Sequence, residues 1–366
     1  MNQDVTDLRH ELHAHPELSG QENETKRRLM DFVKGHTSLE VVDEGSWFYC
    51  LKKATHGNGR SGIAFRADFD ALPIEETLDL PYCSQNPGVS HKCGHDGHAA
   101  SLCGLALALE KEETDRDVWL IFQPAEEVGR GGRTCADFVA GQDISEVYAF
   151  HNRSGYPEGA IVVRPGLMQC ASVGLEVHFT GKTSHASEPD KGISPAPAIA
   201  SMLDYMQMLG RQKFRDFVQT TIIGVTMGDK NFGIAPGEGE VCYTLRSNRD
   251  DDLALLEEKI KEHAALAASA NHLKVTFAEY DPFPATVNTH SCAEKVKECA
   301  EKNHFQVLPM DKPWRASEDF GWYTRSTPGA IFYIGDGVDY PDLHTKAFDF
   351  NDRIMDTAVR MFLSLI

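Results

Sequence analysis

No apolar run in this sequence approaches the roughly 20 residues that a membrane-crossing helix needs, and its opening, MNQDVTDLRHE, is polar and helix-like, unlike a signal peptide. The expected address is the cytoplasm, with no membrane partner. Positive charge is also scarce. The 36 Lys and Arg face 55 Asp and Glu, for a formal charge of -19, and no basic stripe stands out, which argues against nucleic acid as a partner. An anionic small molecule is compatible with that balance if individual arginines capture it. The nine cysteines are odd in number, lack framework spacing and follow no secretion signal, so free thiols or a thiol ligand are expected in place of disulfides. Internal repeats and low-complexity segments are missing too. What is present is ordinary for a globular chain: 41% apolar and 25% charged residues.

A length of 366 residues is too great for one typical core, so two domains are expected. Two helices open the chain, near Val5–His13 and Glu22–Lys34, separated by HPELSGQE, where Pro16 and Gly20 break the period. Three short apolar runs follow. SGIAFRADFD ends in Asp68 and Asp70, DVWLIFQPAEE in Glu126 and Glu127, and EVYAFHN in His151. Such runs between helical stretches predict buried strands of an α/β sheet, and functional groups in these sheets gather beyond the carboxyl ends of strands. From Val173 to Tyr280 the order changes to β-α-β-β-α-β, with strands VGLEVHFT, DFVQTTIIGVTMG, GEVCYTLRS and HLKVTFAEY, and helices near 194–213 and in DDLALLEEKIKEHAALAASA. This is the ferredoxin-like arrangement. GAIFYIGDG and DRIMDTAVRMFLSLI then resume the first pattern. The expected architecture is an α/β domain with a mixed central sheet flanked by helices, in two parts (1–171 and 283–366), interrupted by an inserted ferredoxin-like α+β domain (172–282).

The densest chemistry lies in HKCGHDGHAAS, residues 91–101. Cys93 and His95 flank Gly94 just before an apolar helix, and Asp96 is placed to cap that helix. The pair suits a metal site, but on its own it reads more readily as a buried thiol beside a surface histidine. His91 and His98 read as neighbours of this loop. Glu126 and Glu127 are either a solvated acidic turn or a pair that divides ligation and proton handling at a metal. His151 and His344, the latter in DLHTKAFDF, each have an ordinary loop reading as well. Together Cys93, His95, His151, His344 and one of the two glutamates offer N, O and S donors for two divalent ions, with zinc, nickel, cobalt and manganese all compatible.

HPELSGQE, FRADFDALPIEE, KCGHDGHAA, FQPAEE, GKTSHASEPDKGISP and LHTKAFDF occur in the order seen in the M20 metallopeptidase and amidohydrolase family, and most resemble its aminoacylase, hippurate hydrolase and auxin-conjugate hydrolase branch. The resemblance spans nearly the whole chain. It implies a catalytic α/β domain with an inserted lid used for dimerisation. It also implies a dinuclear site ligated by Cys93, His95, Glu127, His151 and His344, with Glu126 as general base and acid. His185, in GKTSHASEP, matches the lid histidine that stabilises the developing oxyanion, in cis or from a partner subunit. Arg66-Ala67-Asp68 stands where other members carry a His-x-Asp ligand motif, so no ligand is expected there; Asp68 becomes a supporting residue and Asp70 a turn residue. The lid's usual Asn-x-x-Pro is replaced by FGIAP, with Gly233 at the asparagine position, which leaves Arg246 in YTLRS as the expected anchor for an anionic group.

The implied activity is hydrolysis of an amide bond in N-acyl amino acids or similar small conjugates by a homodimer. A dipeptidase or carboxypeptidase would use the same chemistry. A non-catalytic ligand-binding dimer and a cysteine hydrolase using Cys93 are the readings from other classes.

Overall fold

The computed structural model describes residues 2–57, 59–209 and 213–366. The chain forms two compact units. The first comprises Met1–Met168, Thr286–Pro313 and Glu318–Ile366; the second comprises Gln169–Ala285 and Trp314–Ser317.

The first unit is built on an eight-stranded mixed sheet, in the order Glu40–Asp43, Phe48–Lys52, Val118–Gln123, Gly62–Asp68, Ile144–Ser154, Gly329–Gly337, Ile161–Val162, Val307–Leu308. The four strands from Val118–Gln123 to Gly329–Gly337 are parallel. GIAFRAD and VWLIFQ are buried along their whole length, which is why they read as unbroken apolar runs: helices cover both faces of a parallel sheet. The helix His95–Leu109 packs on strand Gly62–Asp68 and is enclosed by helices Gln3–Ala14, Asn23–His36 and Met355–Leu365. Gly97 lies in its first turn, where an added Cβ would overlap the Phe350 ring.

Strand Ile144–Ser154 runs three residues past His151, which therefore lies inside a strand and not after one. Backbone pairing with strand Gly329–Gly337 carries the strand on, from His151 opposite Tyr333 to Ser154 opposite Gly337, although Asn152, Arg153 and Ser154 are polar.

The second unit is a four-stranded antiparallel sheet in the order Val218–Met227, Glu238–Ser247, Ala171–Thr180, Lys274–Phe283, with helices Ala196–Leu209 and Asp250–Ala270. Val173, Leu175, Val177 and Phe179 alternate with more exposed residues and, with Val241, Tyr243 and Leu245, form the buried face. The expected end of the first of these helices, near Lys213, runs across residues 210–212, which lie outside the described residues.

Candidate functional site

The first unit brings Cys93, His95, Glu126, Glu127, His151 and His344 to one place. Backbone geometry makes this possible. Gly94 takes φ +103°, a conformation costly for residues with a Cβ, and occupies the N-cap position of helix His95–Leu109. A side chain there would also overlap Asn152. Cys93 and His95 thus leave a tight loop on either side of a glycine. Asp96 is not the cap that the sequence suggests. It lies in the first turn and turns to helix Gln3–Ala14, where Asp96 Oδ2 is 2.8 Å from His13 Nδ1 and 3.3 Å from Arg9 Nε. Distant in sequence, His344 is tied to the same loop: its N–H donates to the Lys92 carbonyl at 2.7 Å.

Cys93 Sγ is 3.5 Å from His151 Nε2 and 3.3 Å from His344 Nε2. His344 Nε2 is 3.6 Å from Glu127 Oε1, and His95 Nε2 is 3.8 Å from both Glu126 Oε2 and Glu127 Oε1. Cys93, His95, Glu126 and His151 are buried, Glu127 is partly buried and His344 is exposed. Two imidazoles are oriented from behind. His95 Nδ1 sits 3.1 Å from both the carbonyl and Oδ1 of Asp70, and His151 Nδ1 donates to the Asn152 carbonyl at 2.8 Å. In each case Nε2 is turned toward the cluster.

Asp70 is more than a turn residue, because its Oδ2 also accepts the Glu127 N–H at 3.0 Å. Asp68 engages both oxygens, with Arg66 Nη1 donating at 2.6 Å and His98 Nδ1 at 2.6 Å. Arg66, fully enclosed, also donates to Gln123 Oε1 at 2.9 Å and Asp319 Oδ1 at 2.7 Å, and lies 3.0 Å from Glu318 Oε1. Glu318 and Asp319 escape the sequence reading: the acidic pair in ASEDF follows no apolar run, so strand-end logic does not reach it.

The electrostatics follow from burial and crowding. Burial, then the Glu318, Glu127 and Asp319 carboxylates, push the Glu126 carboxyl well above the usual range. Burial lifts Glu127 to about 7 and drives the Cys93 thiol up. For His95 burial acts downward but is outweighed by Asp68 and Asp70, and the imidazole is pushed up to about 10. Burial lowers His151 and His344. Buried His95 Nε2 has no hydrogen-bond partner among the described residues. A thiol, two carboxyls whose ionisation is opposed by burial and crowding, and an unpartnered imidazole nitrogen, all converging, make a donor set suited to divalent cations.

His185 and Arg246 belong to the second unit. His185 is exposed in the short strand Ser184–His185, paired with Ile234–Ala235, and its Nδ1 accepts the Ser187 N–H at 3.2 Å. Gly233 lies beside this pairing, its carbonyl accepting the Ala186 N–H at 3.0 Å. Half-buried Arg246 donates through Nη1 to Ser317 Oγ at 2.8 Å and to the Arg315 carbonyl at 3.0 Å, and burial lowers its pKa. Among the described residues, no helix is long and apolar enough to cross a membrane.

Residues 64–366 match the model of peptidase family M20/M25/M40. N-acetylcysteine deacetylase of Bacillus subtilis is 28% identical over 99% of this chain and 95% of its own. N-acetyldiaminopimelate deacetylase of Lacticaseibacillus paracasei is 29% identical over 95% and 92%. The crystal structure of a dinuclear metal-binding M20 peptidase from Bacillus subtilis superposes with a TM-score of 0.82, at 26% identity, over 99% of this chain and 96% of that one. The chain thus belongs to peptidase family M20/M25/M40.

Proposed function

We propose that this protein is a metal-dependent amidohydrolase that removes the acyl group from N-acyl amino acids or similar small conjugates. The observation that carries the reading is the convergence of Cys93, His95, Glu127, His151 and His344 on one cluster, with the Glu126 carboxyl beside them. The named activities of the two deacetylases and the dinuclear character of the related peptidase support it.

Cys93, His95, Glu127, His151 and His344 would hold two divalent ions, of zinc, manganese, cobalt or nickel. When bound, such ions acidify water and polarise a carbonyl. Glu126 is the proposed acid and base. It takes a proton from the attacking water and passes it to the departing amine, which needs a carboxyl that titrates nearer neutrality than an exposed glutamate. Its burial among other carboxylates acts in that direction. His185 is the proposed hydrogen-bond donor to the oxyanion. Its Nδ1 is engaged by the Ser187 N–H and lies 2.7 Å from Ser187 Oγ, so Nε2 is the nitrogen proposed to donate. Arg246 is the proposed anchor for the substrate carboxylate.

A homodimer through the second unit is part of the proposal. Its edge strand Val218–Met227 exposes Ile222, Ile223, Val225 and Met227, an unprotected apolar edge of the kind that pairs across a two-fold axis. The cytoplasm is the proposed address.

The test is a screen of N-acetyl, N-benzoyl and dipeptide substrates with each of the four metals added separately, alongside Glu126→Gln. Turnover of N-acyl amino acids that nearly vanishes in Glu126→Gln, with metal content retained, is expected. Preference for dipeptides would move the reading to a peptidase, and absence of both bound metal and metal-restored turnover would sink it.

A further inference from the structure

The segment HPELSGQE, residues 15–22, joins the first two helices and reads as a loop. In the structure it reaches the site at two points. Ser19 Oγ–H donates to Asp70 Oδ2 at 2.7 Å, the same oxygen that accepts the Glu127 N–H. Glu22 occupies the N-cap position of helix Asn23–His36, yet its side chain makes no cap hydrogen bond. It turns away and accepts the Ala125 N–H through Oε1 at 2.8 Å.

Ala125 is unusual in its own right. It immediately precedes the Glu126-Glu127 pair and sits at φ +51°, in the left-handed region. An L residue with a Cβ pays about 1–2 kcal/mol to stay there, so the surroundings must hold it. The turn closes through the Arg130 N–H to the Ala125 carbonyl at 3.1 Å and the Gly129 N–H to the Glu126 carbonyl at 2.8 Å. Those bonds fix the carbonyl side of the turn. The N–H of Ala125 is fixed by Glu22, from 103 residues away in sequence. Burying a carboxyl at 6% exposure near Asp70 is unfavourable, and helix capping does not account for it; backbone hydrogen bonds at Glu22, Gly20 and Ala125 offset the cost, and the last of these joins it to the turn before Glu126.

We propose that Glu22 is a positioning residue whose carboxyl oxygen holds Ala125 in its left-handed conformation and so sets the direction in which Glu126 leaves the turn. This rests on the reading of Glu126 as acid and base. What the role requires is an acceptor oxygen, not a charge. Glutamine keeps that oxygen at the same reach and leucine removes it.

The experiment compares Glu22→Gln and Glu22→Leu in the metal-loaded enzyme, with kcat and KM on an N-acyl amino acid, bound metal, and thermal midpoint. Each is also combined with Glu126→Gln, and Glu22→Leu is combined with Ala125→Gly. Misplacing a catalytic group by about 1 Å costs on the order of 100-fold. Glu22→Leu should therefore lose roughly 100-fold in kcat, with KM and metal content within about threefold of the parent. Glu22→Gln should stay within about threefold in kcat. Glycine adopts φ +51° without strain, so Ala125→Gly should restore at least about tenfold to Glu22→Leu, and this pair carries the test if Glu22→Leu alone folds poorly. In the Glu126→Gln background Glu22→Leu should add less than about threefold, since residues acting as a unit are non-additive. Parental kcat in Glu22→Leu, a loss in Glu22→Gln equal to that in Glu22→Leu, or a loss that tracks metal content would each overturn the proposal. Parental turnover in Glu126→Gln would instead overturn the acid–base reading beneath it, so the two failures are distinct.

Discussion

Replacing Arg66 by methionine perturbs the site's support without touching any proposed ligand. Methionine fills most of the aliphatic volume and removes the cation. In the native structure the guanidinium lies against three enclosed carboxyl groups, with Asp68 at 2.6 Å, Asp319 at 2.7 Å and Glu318 at 3.0 Å, all at most 1% exposed. Removing one member of a buried ion pair costs about 3–5 kcal/mol, because the remaining charge has neither partner nor water. The cost depends on pH through the same carboxylates. Burial alone would raise Asp68, but Arg66 and then His95 outweigh it and hold the carboxylate well below the usual range. That native contribution is present above the ordinary carboxylate pKa and is lost as pH falls. Asp319 is already pushed up to about 8 by burial, with Arg66 pulling the other way. Without Arg66 both carboxyls shift upward, Asp68 losing the largest of the pulls that keep it ionised, and the variant's stability falls as pH rises by up to about 1.4 kcal/mol per pH unit for each extra proton taken up on folding. The difference from the parent should therefore be largest near about pH 8.5 and shrink toward about pH 5.5. Guanidinium unfolding of the chelated proteins at both values measures it without metal linkage. A difference below about 1 kcal/mol at the higher pH, or one independent of pH, would refute the argument.

Three further outcomes follow from the same structure. Asp70→Asn should weaken divalent-metal binding about 10–100-fold, because Asp70 orients His95 and holds the Glu127 N–H; chelator competition measures it, and parental affinity would deny Asp70 that role. Gly97→Ala should lower the thermal midpoint, since the added methyl overlaps the buried Phe350 ring and such overpacking costs about 1–3 kcal/mol; an unchanged midpoint counts against the packing seen here. Glu76 is lowered from 4.5 to about 2, against burial, by His13 and Lys92, so its contribution of about 3 kcal/mol is complete above pH 4.5 and lost as pH falls toward 2. Glu76→Gln should flatten that part of the acid-unfolding curve, and a curve as steep as the parent's would exclude Glu76 from it.

Periodicity made the layers legible, because burial and apolarity coincide there. GIAFRAD and VWLIFQ are buried on both faces, and VGLEVHFT alternates because one face meets helices. The same signal fails where polar residues are buried. Asn152 continues its strand through backbone pairing, while its side chain lies 2.7 Å from His98 Nε2 and donates to Asp336 at 3.0 Å. The partners of Arg66 include Asp319, 253 residues away, and no local pattern can announce such a pairing. Cys93, His95, Glu127 and His151 drew notice because they stand beside strands or a glycine turn, whereas His344 and the ligand set as a whole came from the family resemblance. The residues that orient them carry no such mark.

That distinction also separates the histidines of HKCGHDGHAAS. His95 and His98 are three positions apart at the start of one helix, their ring centroids 5.4 Å apart, and both rings meet carboxylates of the Asp68–Asp70 turn. Composition and spacing make them equivalent; their partners do not. His98 has Nδ1 on Asp68 and Nε2 on Asn152, so both ring nitrogens are already engaged by protein groups. His95 has Nδ1 on Asp70 while Nε2 faces Glu126 and Glu127, which is the orientation a ligand requires. His151 follows the same rule through the Asn152 carbonyl. His91 fails it in the opposite sense: neither ring nitrogen has a partner among the described residues, and burial lowers it to about 4. Asn152 therefore acts on both sides of the division, its side chain occupying His98 and its carbonyl orienting His151. The proposed choice of ligands in this cluster rests as much on that residue and on Asp70 as on the histidines themselves.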